Sequence, residues 1–421
     1  MLAALAATSA CIPEGGPVSR NATDTPEAIA EEKAALRASE AESSPIIAEL
    51  QQRRSALSGS YEQVADAVLA ANARVAEAEL RSARLRAVAA SKNWLPTIGP
   101  SVSLTSLGDF VASLVIEQVL FDNGRKKAER AFAKADVEVA AVTLADDTND
   151  RVHQALSLYL LAEKGREEAA LAQTTLKDMQ HFEWIMNERV KGGVSDMSDL
   201  NVLRQKLAEI RSQLTAANEA TETALAELGA MSAKPVTGLR GLSQVKSSSN
   251  VTPLSVLLAQ AEKEREIAQA TIDRAGTLPG LAATGRIGDN SGASVNTTGG
   301  GIGLGTGSTL RAIEASKEAA SRRVAQARED ANRTLRGLEN RSAALARQAS
   351  EARGMTTNAQ TNLDLFQAQY TAGQRQVMDV VGVYETFASQ QNRQITLKYD
   401  TAQARLDIAR HQGVLADGSA M

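Results

Sequence analysis

The sequence predicts a mostly α-helical fold with a small β part, built from one unit that occurs twice. Aromatic residues make up 3% of the 421-residue chain and alanine is abundant, which favours closely approaching helices over a thick core of large side chains. Two long polar tracts carry apolar residues at helical spacing. The segment VKGGVSDMSDL at 190–200 has a counterpart in YTAGQRQVMDV at 370–380. The alignment of these two segments pairs Gly193 with Gly373.

The composition argues against several classes of protein. A net charge of −4 argues against nucleic-acid binding by a basic surface. No stretch reaches the ~18 consecutive apolar residues that a membrane-spanning helix needs, so a polytopic helical membrane protein is not expected. His153, His181 and His411 lack neighbours at metal-ligand spacing, and no catalytic triad, carboxylate pair or cofactor motif is visible. We therefore expect no enzyme, no cofactor, no metal site and no nucleic-acid partner.

Cys11 is the only cysteine, so the chain forms no intramolecular disulfide. It follows the apolar run LAALAATSA. This pattern resembles the end of a secretory signal with a lipoprotein-type cleavage box, in which residues 1–10 are removed and Cys11 becomes the lipidated first residue. Thr8 stands where leucine is usual, and no Lys or Arg precedes the apolar run. An ordinary signal peptide with an unmodified cysteine is the alternative.

The segment 11–59 is a polar N-terminal extension. Four prolines interrupt it, which are Pro13, Pro17, Pro26 and Pro45. We therefore expect an extended leader with short helices between the prolines. The first repeat, 60–230, opens with a predicted helix from Tyr61 to about Asn93. Its apolar stripe comprises Val64, Val68, Ala71, Val75, Ala78 and Leu85.

A β-hairpin is predicted next, at about 97–121. Leu95-Pro96 ends the helix, TIGPSVSLTS alternates in polarity, and FVASLVIEQVLF follows after a Leu107-Gly108-Asp109 turn. Trp94 and Phe121 stand at the strand ends, where they are either membrane-interface anchors or ordinary packing residues.

A long helix follows LFDNGR and continues to the Gly192-Gly193 pair. Roughly 65 residues at about 1.5 Å each give a rod of about 100 Å. A second helix returns from Ser195 to Leu228, and a linker at 231–252 closes the first repeat.

The second repeat, 253–415, has the same order. A helix is expected from Pro253 to Ala275, and the strands are expected at about 281–306, formed by LAATGRIG and GGGIGLGTG. The glycine tract resembles a phosphate loop only superficially, because no lysine follows it. A second rod is predicted from Ser308 to Tyr370, and a last helix ends near Leu415, before a short tail at 416–421.

Neither rod can bury its alanine stripe alone, and four strands leave open edges. Closing the sheet requires other copies of the chain. Three copies would supply twelve strands and twelve helical staves, enough for a barrel around an aqueous lumen.

The doubled unit, the Leu-Pro before each first strand, the LFDNGR junction and the two turns resemble the TolC-type outer-membrane efflux channels over about residues 60–415. The resemblance implies a homotrimer in which a 12-stranded β-barrel in outer-membrane lipid continues into a long α-helical barrel across the periplasm. It implies a periplasmic adaptor and an inner-membrane pump as partners. The implied function is a passive, gated exit duct for tripartite efflux or type I secretion.

The same resemblance implies a gate at the periplasmic tip of the tunnel. By this resemblance Ser198 and Asp199 face Tyr370 and Arg375, and Asp379 lies in the narrowing. Adaptor docking is assigned to the turn residues, which are Gly192, Gly193 and Gly373. Gly382 occupies the place of a second acidic residue that the family often carries, so fewer carboxylates are expected at the constriction.

Simpler interpretations of the same residues remain open. The glycines fit helix C-caps, which need a left-handed backbone, and the aspartates fit helix-start acids favoured by the macrodipole. A structural coiled-coil envelope protein without channel activity is the alternative function. It accounts for the rods but not for two alternating, glycine-rich hairpins at matching places.

Overall fold

A computed structural model describes residues 44–71, 75–104, 110–246, 251–288, 291–301 and 303–418. The predicted signal segment, Cys11 and most of the N-terminal extension lie outside the described residues. The predicted Leu107-Gly108-Asp109 turn also lies outside them.

The described elements follow the predicted order of helix, hairpin, long helix, turn and helix, twice. The N-terminal extension and first unit comprise α1 (Pro45–Gln52), α2 (Ser60–Leu69), α3 (Val75–Ser91), β1 (Thr97–Leu104), β2 (Phe110–Phe121), α4 (Arg125–Lys191) and α5 (Met197–Met231). The second unit comprises α6 (Leu254–Thr277), β3 (Gly280–Gly288), β4 (Gly292–Thr298), α7 (Thr306–Thr371) and α8 (Val377–Gln412). Both predicted rods are confirmed, since α4 has 67 residues and α7 has 66.

The helices pack side by side as a layer of staves. Near the two helix turns, the main packing contacts give the order α5–α4–α8–α7. Near the sheet, they give the order α3–α4–α6–α7. One edge of the layer is therefore formed by α3 and α5, and the other edge by α7.

The four strands form one antiparallel sheet in the order β1–β2–β3–β4. The register pairs Ile98 with Ile116, and Leu114 with Ile287, so these apolar residues share one face. The opposite face is mostly polar and includes Thr97, Ser101, Ser113, Glu117, Thr284, Arg286, Ser294 and Asn296. The alternation predicted for LAATGRIG at 281–288 is confirmed.

The position predicted for the last strand was wrong. The described residues of the glycine tract at 299–307 do not pair with β3; β4 lies before the tract, at Gly292–Thr298. Gly299 has a left-handed φ of 91°, and an added Cβ there would lie 2.7 Å from the Leu278 carbonyl oxygen. The backbone therefore leaves the strand at Gly299 and crosses close to the end of α6. The nitrogen of Gly300 donates to the Gly276 oxygen at 3.0 Å.

The single helix predicted from Tyr61 to about Asn93 was also wrong. The chain forms α2 and α3 instead, with Ala70 and Ala71 ending α2. The two helices bury different faces. In α2 the predicted residues Val64 and Val68 are buried, but in α3 Val75 is 75% exposed and Leu85 is 63% exposed. The buried stripe of α3 shifts to Ala76, Leu80 and Ala83, which pack against α4.

The two largest clusters of apolar side chains among the described residues hold the helices together away from the sheet. The first, the waist core, joins α2, α4, α8 and the linker after α5. Its members include Tyr61, Val64, Val68, Leu156, Tyr159, Leu228, Val236, Tyr399 and Leu406. The second, the tip core, lies near the helix turns and joins α4, α5, α7 and α8. Its members include Met179, Phe182, Met186, Leu200, Leu203, Leu363, Val380 and Tyr384.

The segment 45–58, which we call the N-terminal strap, is fixed to the C-terminal end of the chain. The guanidinium of Arg53 is buried and donates to the carbonyl oxygens of Gln412 at 2.9 Å and Thr252 at 2.5 Å. The backbone of Ala56 adds a hydrogen bond to the Val414 oxygen at 2.8 Å. The strap therefore ties α6 and α8 together at the waist.

The buried guanidinium predicts a large difference between two adjacent arginines. Arg53→Ala leaves the carbonyl oxygens of Gln412, Gly413 and Thr252 without this donor and should lower the free energy of unfolding by about 2–4 kcal/mol. Arg54 has a side chain that is 78% exposed, so Arg54→Ala should change stability by less than about 0.5 kcal/mol. Thermal denaturation followed by circular dichroism measures both. Equal stability of the two variants would contradict the role of Arg53.

Candidate functional site: the two helix turns

Both helix turns have the same backbone hydrogen bonds. After α4, the nitrogen of Val194 donates to the Arg189 oxygen at 2.8 Å, and Gly193 donates to Val190 at 3.0 Å. After α7, Gln374 donates to Gln369 and Gly373 donates to Tyr370, both at 2.9 Å. This pair of bonds is the Schellman motif, which ends a helix with one residue in the left-handed region.

The glycine positions follow from that motif. Gly193 has a φ of 70° and Gly373 a φ of 76°, so both occupy the left-handed position where a Cβ is unfavourable. Gly192 has a φ of −79° and is not required as glycine by its backbone. The C-cap interpretation is therefore confirmed for Gly193 and Gly373, while adaptor docking at all three glycines stays a prediction.

The two turns lie at the same end of the bundle and at the same level. The rings of Phe182 and Tyr384 meet edge to face with centroids 6.3 Å apart. Each of these residues lies 11 positions from the glycine of its turn (193 − 182 and 384 − 373). Lys206 and Glu385 form an ion pair in the same region. The tip core thus holds both turns side by side.

The predicted gate residues differ in their exposure and contacts. Ser198 is exposed, whereas Asp199 is half-buried in the first turn of α5. Tyr370 is half-buried and packs against the tip core. Arg375 is exposed; its Nε donates to Gln369 Oε1 at 3.0 Å, and its guanidinium lies 4.5 Å from the centre of the Phe366 ring.

The first and second turns are therefore not joined by Arg375 within one copy. All of its contacts among the described residues are to α7, and no hydrogen bond there links Ser198 or Asp199 to Tyr370 or Arg375. The predicted latch remains a prediction for contacts between copies of the chain.

Asp379 serves as a helix-start acid. Its carboxylate accepts a hydrogen bond from the Gln376 backbone nitrogen at 3.1 Å, and the Gln376 side chain accepts one from the backbone of Asp379. This reciprocal pair is a capping box that satisfies two free N–H groups at the start of α8. Asp379 is also exposed, so one carboxylate oxygen can face an opening while the other holds the cap.

The sequence did not predict a hydrogen bond between α8 and α4 in the tip core. The hydroxyl of Tyr384 on α8 donates to Asp178 Oδ2 on α4 at 2.5 Å. Burial raises the pKa of Tyr384, and the hydrogen bond to Asp178 raises that pKa further, so the hydroxyl keeps its proton. Asp178 lies 15 positions before Gly193 (193 − 178) and Tyr384 lies 11 positions after Gly373 (384 − 373), so the contact could be expected only once the level of the turns is known.

No metal centre is present in the described part of the chain, because no three His, Cys, Asp or Glu side chains there are grouped to hold an ion. Among the described helices, none is long and apolar enough to cross a membrane. At the sheet, Trp94 is 60% exposed and Phe121 is 55% exposed. Both rings therefore lie on the surface of the single copy, so they are not packing residues within it.

No family model and no curated protein match the chain. A membrane protein from Pseudomonas aeruginosa superposes with a TM-score of 0.74 at 16% identity, covering 88% of this chain and 93% of that chain. The outer membrane channel CmeC of Campylobacter jejuni gives 0.70 at 14% identity, covering 86% and 87%. The outer membrane protein VceC of Vibrio cholerae gives 0.72 at 13% identity, covering 84% and 96%.

These similarities define the fold. The chain has the architecture of outer-membrane channels, and the TolC-type fold predicted from the sequence is confirmed. At these identities the likeness extends to the fold alone.

Two glycines give opposite predictions for replacement by alanine. Gly373→Ala puts a Cβ into the left-handed region and should destabilise the protein by about 1–2 kcal/mol. Gly382 is helical with open space around its Cβ position, so Gly382→Ala should stabilise it by about 0.5–1 kcal/mol. Chemical denaturation measures the difference. A neutral or stabilising Gly373→Ala would contradict the assigned turn.

Proposed function

We propose that the protein is the outer-membrane channel of a tripartite efflux or type I secretion system. It acts as a homotrimeric, passive and gated duct from the periplasm to the outside. A periplasmic adaptor and an inner-membrane pump supply recognition and energy. The observation that carries the proposal is the position of the unpaired edges in one copy.

The sheet and the helix layer end on corresponding sides. β1 follows α3, and α3 lies at one edge of the staves; β4 precedes α7, and α7 forms the other edge. In the described sheet, β1 and β4 each pair with a strand on one side only. The edge formed by β4 and α7 of one copy can join the edge formed by β1, α3 and α5 of the next. This contact pairs the free strands and covers the exposed helices at the same time. Such head-to-tail contacts generate a ring when the rotation closes.

The two faces of the sheet suit a closed barrel in lipid. On the apolar face Ile98 is 64% exposed, Ile287 is 59% exposed and Val295 is 64% exposed. An open apolar face of this kind is unfavourable in water and favourable against hydrocarbon. The polar face, with Glu117 and Arg286, would then line the aqueous interior.

A copy number of three is proposed from the number of strands in one copy. Four strands from each of three copies would form a barrel of twelve, wide enough for an aqueous lumen. Four staves from each copy would continue it as a helical tunnel. In this assembly Trp94 and Phe121 would lie at the membrane interface, where such rings are favoured.

The gate is proposed at the tip formed by the two turns. Between copies, Asp199 and Ser198 would meet Tyr370 and Arg375, and charge-assisted hydrogen bonds would hold the closed state. The adaptor would open the gate by binding the turns, Gly192, Gly193 and Gly373, better in their splayed state than in their closed state. With Gly382 in place of a second acid, Asp379 would provide the carboxylates of the constriction.

Single-channel recording in planar bilayers tests this function. Wild-type protein should give small, mostly closed currents, because the closed tip dominates the population. The Asp199→Ala/Arg375→Ala double variant should raise the mean current by roughly tenfold, since it removes both charged partners of the latch.

The matched control removes two charges from the same tip without touching the latch. Glu188 and Lys191 form an exposed ion pair at the end of α4. The Glu188→Ala/Lys191→Ala variant should therefore conduct like wild type. If both double variants behave alike, the latch is wrong. If no variant conducts, the structural coiled-coil function is favoured over the channel.

A further inference from the structure

We propose that copies of this chain are held in register by an ion-pair cluster between Arg347 on α7 of one copy and Glu219 and Glu222 on α5 of the next. This proposal rests on the proposed function, in which copies join head to tail in a ring. It adds the residues that fix how neighbouring copies align with each other. The partner is a second copy of this chain.

One layer of the bundle defines the level of these charges. Tyr399 on α8 donates its hydroxyl to Glu167 on α4 at 2.9 Å. These two residues lie 26 positions from their turn glycines (193 − 167 and 399 − 373). Glu219 lies 26 positions after Gly193 (219 − 193).

Arg347 belongs to the same layer, because it lies 26 positions before Gly373 (373 − 347). All four helices therefore contribute a residue at one height. Because the order of staves here is α5–α4–α8–α7, Glu219 and Arg347 stand at opposite edges of the layer. Glu222 lies about one helical turn beyond Glu219, on the side away from the tip.

Arg347 and Glu219 both lie on the side of their helix that faces away from their own copy. At 3.6 residues per turn, Arg347 lies about 120–160° around α7 from the buried residues Ala352, Ala359 and Leu363. Glu219 lies about 140–160° around α5 from the buried residues Ala217 and Ala224. All three side chains of the cluster belong to exposed residues. Closing the ring places them face to face.

The charges are also without partners in one copy. Elsewhere on α7, Arg322 pairs with Glu318 and Arg333 pairs with Asp330 within the helix. Among the described residues, Arg347, Glu219 and Glu222 form no ion pair. A solvent-exposed pair adds little affinity, but like charges placed face to face strongly disfavour the wrong register. The cluster therefore acts mainly on specificity.

Charge reversal of the full-length, detergent-solubilised protein tests the cluster by sedimentation velocity. Arg347→Glu would place three carboxylates together at each interface and should weaken association at least about tenfold. The Glu219→Arg/Glu222→Arg variant should weaken association similarly. Combining all three substitutions restores opposite charges and should recover the wild-type assembly.

The control is Arg353→Glu, another exposed arginine on α7 that lies about a third of a turn around the helix from Arg347. It should assemble like wild type. If Arg347→Glu also assembles like wild type, or the combined variant does not recover, the cluster is wrong although the ring stands. If wild-type protein is itself monomeric, the ring and the proposed function fail together with the cluster.

Discussion

The unpaired edges of one copy are the constraint on which the rest of the structure depends. A sheet of four strands ends at β1 and β4, and a layer of four staves ends at α3/α5 and α7. An open sheet edge presents free N–H and C=O groups that must be paired, and lipid offers no partner for them. The chain arrangement places both kinds of edge on corresponding sides, so one head-to-tail contact can pair the strands and cover the helices together.

The duplication explains why the two edges correspond. Each unit contributes one hairpin, one rod and one returning helix, and the paired turns place both units at one level. The level is maintained far from the turns, as the contact between Glu167 and Tyr399 shows. At the tip the two units differ, since Tyr370 of the second turn stands at the place of Val190 in the first.

Much of the fold could be predicted from the sequence because its signals are local and periodic. The rods follow from stripes over more than 60 residues, and the turns follow from Gly193 and Gly373, whose left-handed backbone requires glycine. The errors occurred where two local signals compete. Glycines that alternate with apolar residues at 299–307 indicate a strand, but Gly299 and Gly300 pack against the end of α6 and the backbone leaves the sheet there. The apolar residues after Ala71 keep the spacing of the stripe that starts at Tyr61. The helix nevertheless breaks between α2 and α3, and α3 buries a different face.

The candidate site could be predicted only in part. Asp379 carries a local pattern, and the structure gives it the local role of a cap. The contact between Asp178 and Tyr384 joins residues 206 positions apart, and nothing in their own neighbourhoods announces it. For Arg375 the resemblance to a latch residue predicts a distant partner. Within one copy, however, its hydrogen bond and its ring contact are both to the preceding helix α7.

The most direct test of the account is a cryo-EM reconstruction of the detergent-solubilised protein at a resolution that resolves strands. The account predicts three copies around one axis, with β4 of each copy hydrogen-bonded to β1 of the next and α7 packed against the α3/α5 edge of that neighbour. Single copies, or assemblies in which the β1 and β4 edges stay free, would contradict it.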